Sequence, residues 1–201
     1  MSYSEPVFSD FKFVDAYIKI NKSGESYVND HCIGEAHEEL ETKNIVKKCQ
    51  GITKKTRTML TGNGTLKLKL HIKRSIYIAI YGLNNTGLKT GVYAYGTGNE
   101  YPELSLTAQI SNEDGAKKYK GYPRLMANGG PKMDIVNGEE EVAEVEVEFN
   151  ILPDEYGNGV YEALVDDLTD ETLISTWLTA FSSDFVRQST TTTTESNTPT
   201  V

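Results

Sequence analysis

The sequence predicts a mostly β fold, a β-sandwich flanked by one short α-helix, on three observations. Apolar and polar residues alternate with period two over several short stretches, as half-buried strands require. Gly, Asn and Asp recur between those stretches, where chains turn. One stretch, 72–83, carries its aliphatic residues at helical spacing instead.

The series opens at 11–20, where Phe11, Phe13, Ala16, Ile18 and Ile20 are apolar and Tyr17 and Lys19 interleave with the last of them. Residues 21–44 follow, rich in Gly, Ser, Asp and Glu and poor in periodicity, and read as a long loop. A loop of that length in a compact domain is usually functional. Residues 45–60 are mixed, with Val46, Ile52 and Leu60 as candidate core points, and Asn63-Gly64 is a turn signal. The cleanest alternation comes next: Leu66, Leu68 and Leu70 against Lys67, Lys69 and His71.

In 75–83 the β-branched residues favour a strand, yet Ile72, Ile76, Ile80 and Leu83 fall on one helical face, and a short helix is preferred. Five glycines make 82–101 turn-rich. Strands are then expected at 104–110, 117–126, within 138–149, at 160–165 and at 172–181. Turns separate them at 112–115, 127–131 and 154–159. The domain spans 1–187, and 188–201, almost all Thr, Ser, Asn and Pro, reads as a flexible tail.

Charge and composition exclude several functions. The net charge of −9 disfavours tight nucleic-acid binding, although lysines cluster at 43–57 and 67–74. Twelve tyrosines against six phenylalanines suit surfaces that become half-buried in subunit contacts, and equally a Tyr-rich sheet without a partner. No secretory leader opens the chain and its longest apolar run, 76–81, is too short to span a bilayer, so Cys32 and Cys49 are expected as free thiols in a reducing cytoplasm. With His31 and His37 they match no zinc spacing. No nucleophile elbow, phosphate loop or metal motif occurs, so no catalytic residue, metal or cofactor is expected. The acidic run Asp166, Asp167, Asp170 and Glu171 fits no calcium loop and reads as a solvated turn.

The carboxylates Glu144, Glu146 and Glu148 share one strand face, opposite Val145, Val147 and Phe149. Such a row repels itself unless it faces bulk water, pairs across strands with Lys67 and Lys69, or lines a wet channel.

The order of these features resembles the major tail tube protein of siphophages, over roughly 11–181. The features are the strand 14–20, the long loop 21–44, the strand 64–71 leading to Tyr81-Gly82-Leu83, and 104–110 before the Asp114-Gly115 turn. The acidic-alternating strand, the turn 154–159 and Tyr161-Glu162-Ala163-Leu164-Val165-Asp166-Asp167 complete it.

The resemblance implies a sandwich whose inner sheets join between six subunits into a hollow barrel, with rings stacked into a tube. It implies a tape measure protein in the lumen, a tail terminator and a baseplate or distal tail protein at the ends, and double-stranded DNA passing without specific binding. The place is the virion tail, made in the host bacterial cytoplasm, with no membrane.

On that resemblance Glu144, Glu146 and Glu148 are candidates to face the lumen. Asn21, Lys22, Glu25, Tyr27, Asp30, Glu38, Glu39 and Glu41 are candidates for the loop that reaches the next ring. Two other readings stay open: a related head–tail joining, contractile-tail or type VI secretion tube subunit, and a monomeric β-sandwich module that binds carbohydrate or a host surface.

Overall fold

The computed structural model describes residues 8–29, 33–133 and 142–188. Its strands are β1 (Lys12–Ile20), β2 (Val28–Asn29), β3 (Ile33–Cys49), β4 (Ile52–Leu70), β5 (Leu104–Ser111), β6 (Lys117–Ala127), β7 (Val145–Ile151) and β8 (Tyr161–Leu164). Helix α1 (Arg74–Ile80) follows β4, and α2 (Glu171–Ala180) follows β8 after a single 3-10 turn, Val165–Asp167. The short helix at 74–80 is the one the isoleucine spacing predicts.

All strands belong to one antiparallel sheet in the order β2-β1-β5-β6-β7-β4-β3, with β8 added beside β6. The fold-over comes from β6. Its first half, Lys118–Gly121, pairs with β8, while Leu125–Ala127 pair with β7 along the same edge. Between them the β5–β6 register shifts at Pro123 and Arg124, a bulge that accommodates a proline inside a strand. The two halves of the sheet thereby close on one core, in which Leu104, Leu106, Tyr122 and Leu125 meet Leu66, Leu68, Val147 and Phe149. Ile76 and Ile80 of α1 join it.

Four expectations are corrected. The expected loop 21–44 is largely strand: β3 runs from Ile33, and among the described residues of the stretch only 21–27, before β2, are irregular. As an end strand with its outer face in water, β3 has no apolar alternation to display, and charge along an edge is a common guard against aggregation. The mixed stretch 45–60 is the two arms of a hairpin turned at Gln50 and Gly51, whose φ of 50° and 80° suit a two-residue turn. Asn63-Gly64 lies inside β4, beside an irregularity in its pairing with β3.

Last, 172–181 is not a strand but α2. The Asp170 carboxylate caps it, accepting the backbone N–H groups of Thr172 and Leu173. Such a cap stabilises a helix by about 1 kcal/mol. Helix α2 and the Phe181 that follows it cover the outer face of the β5–β6 region: Trp177 stacks on Tyr119, and Phe181 packs against Trp177 in the same second cluster. Trp177 Nε1 donates to the Lys120 carbonyl at 3.2 Å.

Candidate functional site

Two surfaces stand out: a projecting arm and an uncovered polar wall. Residues Ile33–Leu40 of β3 pair with Gly64–Leu70 and belong to the body. Beyond them, 41–60 are exposed at every position, so the hairpin leaves the body as a two-stranded ribbon. About ten residues per strand give it a reach of roughly 30 Å. Ile45, Val46, Ile52, Met59 and Leu60 are all open to solvent on it. A two-stranded hairpin is marginal by itself in water.

Its base is braced. Register shifts between Leu40 and Thr42 as Thr61-Gly62-Asn63 bulge out of β4. Gly62, at φ +80°, lies against the turn 154–159: a Cβ on it would come within 2.6 Å of the Gly157 carbonyl oxygen. That turn is itself tied by Asp154, whose carboxylate accepts the backbone N–H groups of Tyr156 and Asn158 at 2.9 Å and the Tyr161 hydroxyl at 2.6 Å.

The arm carries Lys43, Lys47, Lys48, Lys54, Lys55 and Arg57 against one carboxylate, Glu41. The other residues of the chain therefore hold fourteen cations and twenty-eight carboxylates. The arm is a basic limb on an acidic body. The sequence carries the signal: no Asp or Glu lies between Glu41 and Glu100.

The polar wall is the outer face of β3, β4 and β7. Lys67 stands opposite Glu148, and Lys69 opposite Glu146, while Glu35 and His37 flank the two lysines from β3. Lys69 Nζ bonds Glu35 at 2.5 Å, Lys132 Nζ bonds Glu146 at 2.6 Å, and Lys67 lies 3.8 Å from Glu148. Cross-strand pairing, one of the three arrangements open from sequence, is thus present for Glu148 with Lys67, whereas Lys69 turns to Glu35 and Glu146 is held by Lys132, beyond the end of β6. The Lys132 hydrogen bond holds the Glu146 carboxyl below its ordinary range. Glu144 packs over Gly34, where an added Cβ would meet its Oε1 at 2.1 Å.

The residues expected in a stacking loop do not act together. Asn21 is tied to the body through the Pro123 carbonyl and the Ser105 hydroxyl. Tyr27 donates to the Phe181 carbonyl at 3.1 Å, and burial pushes its phenol up to about 12. Lys22 and Glu25 sit on exposed bends. Glu38 accepts Lys120 Nζ at 2.9 and 3.0 Å and the Tyr122 hydroxyl at 2.5 Å. Burial and then the charge of Glu38 keep Tyr122 protonated far above its ordinary range. Only Glu39 and Glu41 stand exposed where the arm leaves the body. Asp30, with His31 and Cys32, lies outside the described residues, as do 189–201.

Three carboxyls tune acid stability. The Arg124 hydrogen bond lowers Glu103 from its ordinary 4.5, and the Lys132 hydrogen bond lowers Glu146 from the same value. For Asp154 burial pushes upward, but hydrogen bonds from Ser183, Tyr161, Asn158 and Tyr156 outweigh it and lower the group from 3.8. A folded pKa below the unfolded one adds stability above the unfolded value and loses it as pH falls through the folded value. Thermal melting is therefore expected to hold steady down to about pH 4.5 and to drop progressively below about pH 4. A melting temperature that stays flat to pH 3 contradicts these assignments.

Among the described residues no group of three or more His, Cys, Asp or Glu is placed to hold a metal ion. No family model matches the chain, and no curated protein matches it. Two solved structures resemble it distantly. One is a component of the cryo-EM structure of the anti-feeding prophage baseplate, 11% identical, covering 82% of this chain and 99% of that one, with a TM-score of 0.40. The other is from the tube-terminating cap of that particle, 10% identical over 82% and 99% of the two chains, with a TM-score of 0.44.

Proposed function

We propose that the chain is the structural subunit of a hollow tube, the major tail tube protein of a long non-contractile-tailed phage. The observation that carries this reading is the arm: an end strand with an unpaired outer edge continues for roughly 30 Å beyond the body as a ribbon with no cover on either face. An open edge 17 residues long is a template for pairing with another copy, and ring closure removes such edges. Six subunits form each ring. The arm reaches the next ring, and head-to-tail contacts of this kind propagate into a filament.

The wall bearing Glu144, Glu146 and Glu148 faces the lumen. Lys67, Lys69 and Lys132 interrupt its carboxylates, so duplex DNA meets no run of cations to hold it, and screening confines the wall's field to about 8–10 Å. A tape measure protein fills the lumen during assembly, and a tail terminator and a baseplate or distal tail protein end the tube.

The test is negative-stain electron microscopy of the purified full chain at high concentration, beside a variant whose arm is shortened to the Leu40–Gly64 pair. Tubes or six-fold rings from the full chain, and loss of stacking in the shortened one, are expected. A full chain that stays a monodisperse monomer overturns the reading and favours a monomeric binding module.

A further inference from the structure

The arm is two-faced. Cross-strand neighbours share a face, and the pairs Lys43–Met59, Ile45–Arg57 and Lys47–Lys55 put four cations around two apolar side chains on one side. The pairs Thr42–Leu60, Asn44–Thr58 and Val46–Thr56 leave the shaft of the other side uncharged, with Lys48 opposite Thr53 near its tip, and Thr58 Oγ1 donates to Asn44 Oδ1 at 2.6 Å. Solubility alone favours charges of both signs spread over a surface. Here every charge between Thr42 and Leu60 is positive, and four of the six cations lie on one side. Lys47 and Lys55 stand directly opposite each other, an arrangement that destabilises an isolated ribbon. No arm cation has an acidic partner among the described residues. The ribbon is built to meet an anionic surface with an apolar centre.

Several carboxylates of the body are already paired with cations. Glu35, Glu146 and Glu148 are paired on the wall, Glu38 and Glu162 face Lys118 or Lys120, and Glu103 holds Arg124. The corner between β8 and α2 differs. Asp166, Asp167 and Glu171 are exposed there with no cation beside them among the described residues, and Asp170 adds a fourth carboxylate within six residues.

We propose that the cationic face of the arm docks on the acidic 166–171 corner of a second copy of this chain. This rests on the reading of the chain as a self-assembling subunit and names the surface its arm engages. A nucleic acid would meet the same four cations, but it would also meet a body with fourteen more carboxylates than cations. A second copy brings that body's acidic surface as the ligand, at the concentration of the assembly itself. Arm and corner are different surfaces, so the contact is head-to-tail and repeats without closing on a pair.

The experiment uses charge reversal in two full-length variants, K47E/K55E and D166K/D167K, each first shown by thermal melting to be folded. Assembly is read by sedimentation velocity and electron microscopy at low and high salt. Each variant alone is expected to raise the critical concentration for tubes by about tenfold or more, since like charges then face each other across the contact. Mixed one to one they are expected to co-assemble near the wild-type concentration, because each arm now finds a corner of opposite charge. Wild type that never assembles overturns the tube reading and this docking with it. If wild type assembles, the docking alone is overturned by variants that assemble unimpaired, or by a mixture that does not recover. It is also overturned if K47E/K55E loses binding to a duplex DNA probe while its assembly is unchanged.

Discussion

Replacing Glu38 by alanine is expected to cost about 3 kcal/mol of folding stability, the penalty for leaving a buried charge without its partner. Lys120 has a side chain only 11% exposed and takes two contacts from this one carboxylate. Its remaining acid, Glu162, is 3.6 Å away and half in solvent. The Tyr122 hydroxyl, in a residue 1% exposed, loses its acceptor as well. Urea denaturation of E38A measures the loss, and a change under about 1 kcal/mol contradicts it. Converting Lys120 to methionine in the same chain is expected to recover part of the stability, because the stranded charge is removed. Alanine at Glu39 or Glu41, exposed and close in sequence, should stay within about 0.5 kcal/mol of wild type.

Gly159→Ala is expected to be comparably severe and to act on the arm. An added Cβ would lie 2.0 Å from the Gly62 carbonyl oxygen and 2.8 Å from Ile151 Cγ2. Neither obstacle is the free end of a flexible chain, so the turn and the arm's base must separate. Overpacking of this kind costs up to about 3 kcal/mol. The arm then leaves the body at another angle, and on the proposed tube reading assembly should fail even below the melting temperature. Gly157→Ala is the control: its Cβ meets nothing within 4 Å, and only its φ of +82° opposes the change, at about 1 kcal/mol. Equal stability losses in the two variants would show that the close approach at Gly159 does not hold the arm.

The parts of the fold that could be read from the residues are those in which apolar and polar side chains take turns, whether the polar face meets water or, as in β5, lies beneath α2. Leu66, Leu68 and Leu70, Val147 and Phe149, and Leu104, Leu106 and Ala108 alternate because the core takes every second side chain. The arm has no dry face, so burial imposes no period on it, and a stretch that is strand at both ends looked mixed. Its information lies in charge instead, in cations without intervening carboxylates. Helix α2 was hidden by composition. Thr, Ile and Trp lean toward strands, while Asp170 in front of Leu173, Trp177, Leu178 and Phe181 held both the cap and the helical spacing. Glu38 looked like its neighbours Glu39 and Glu41. What separates it is Lys120 and Tyr122, which are 82 and 84 residues away and reach it only after the sheet has folded over.

Strand β5 is sealed on both sides. Leu104, Leu106 and Ala108 lie in the core, and the Thr107 hydroxyl, on the opposite face, donates to the Leu178 carbonyl of α2 at 2.7 Å. The body therefore has no slack layer that can shear, whereas the ribbon that leaves it is two strands thick and held at one end. In a long filament of such units, curvature would be taken up at the ribbons, with each bead keeping its shape. Bending stiffness would then follow the chemistry of the joint and not the solidity of the blocks.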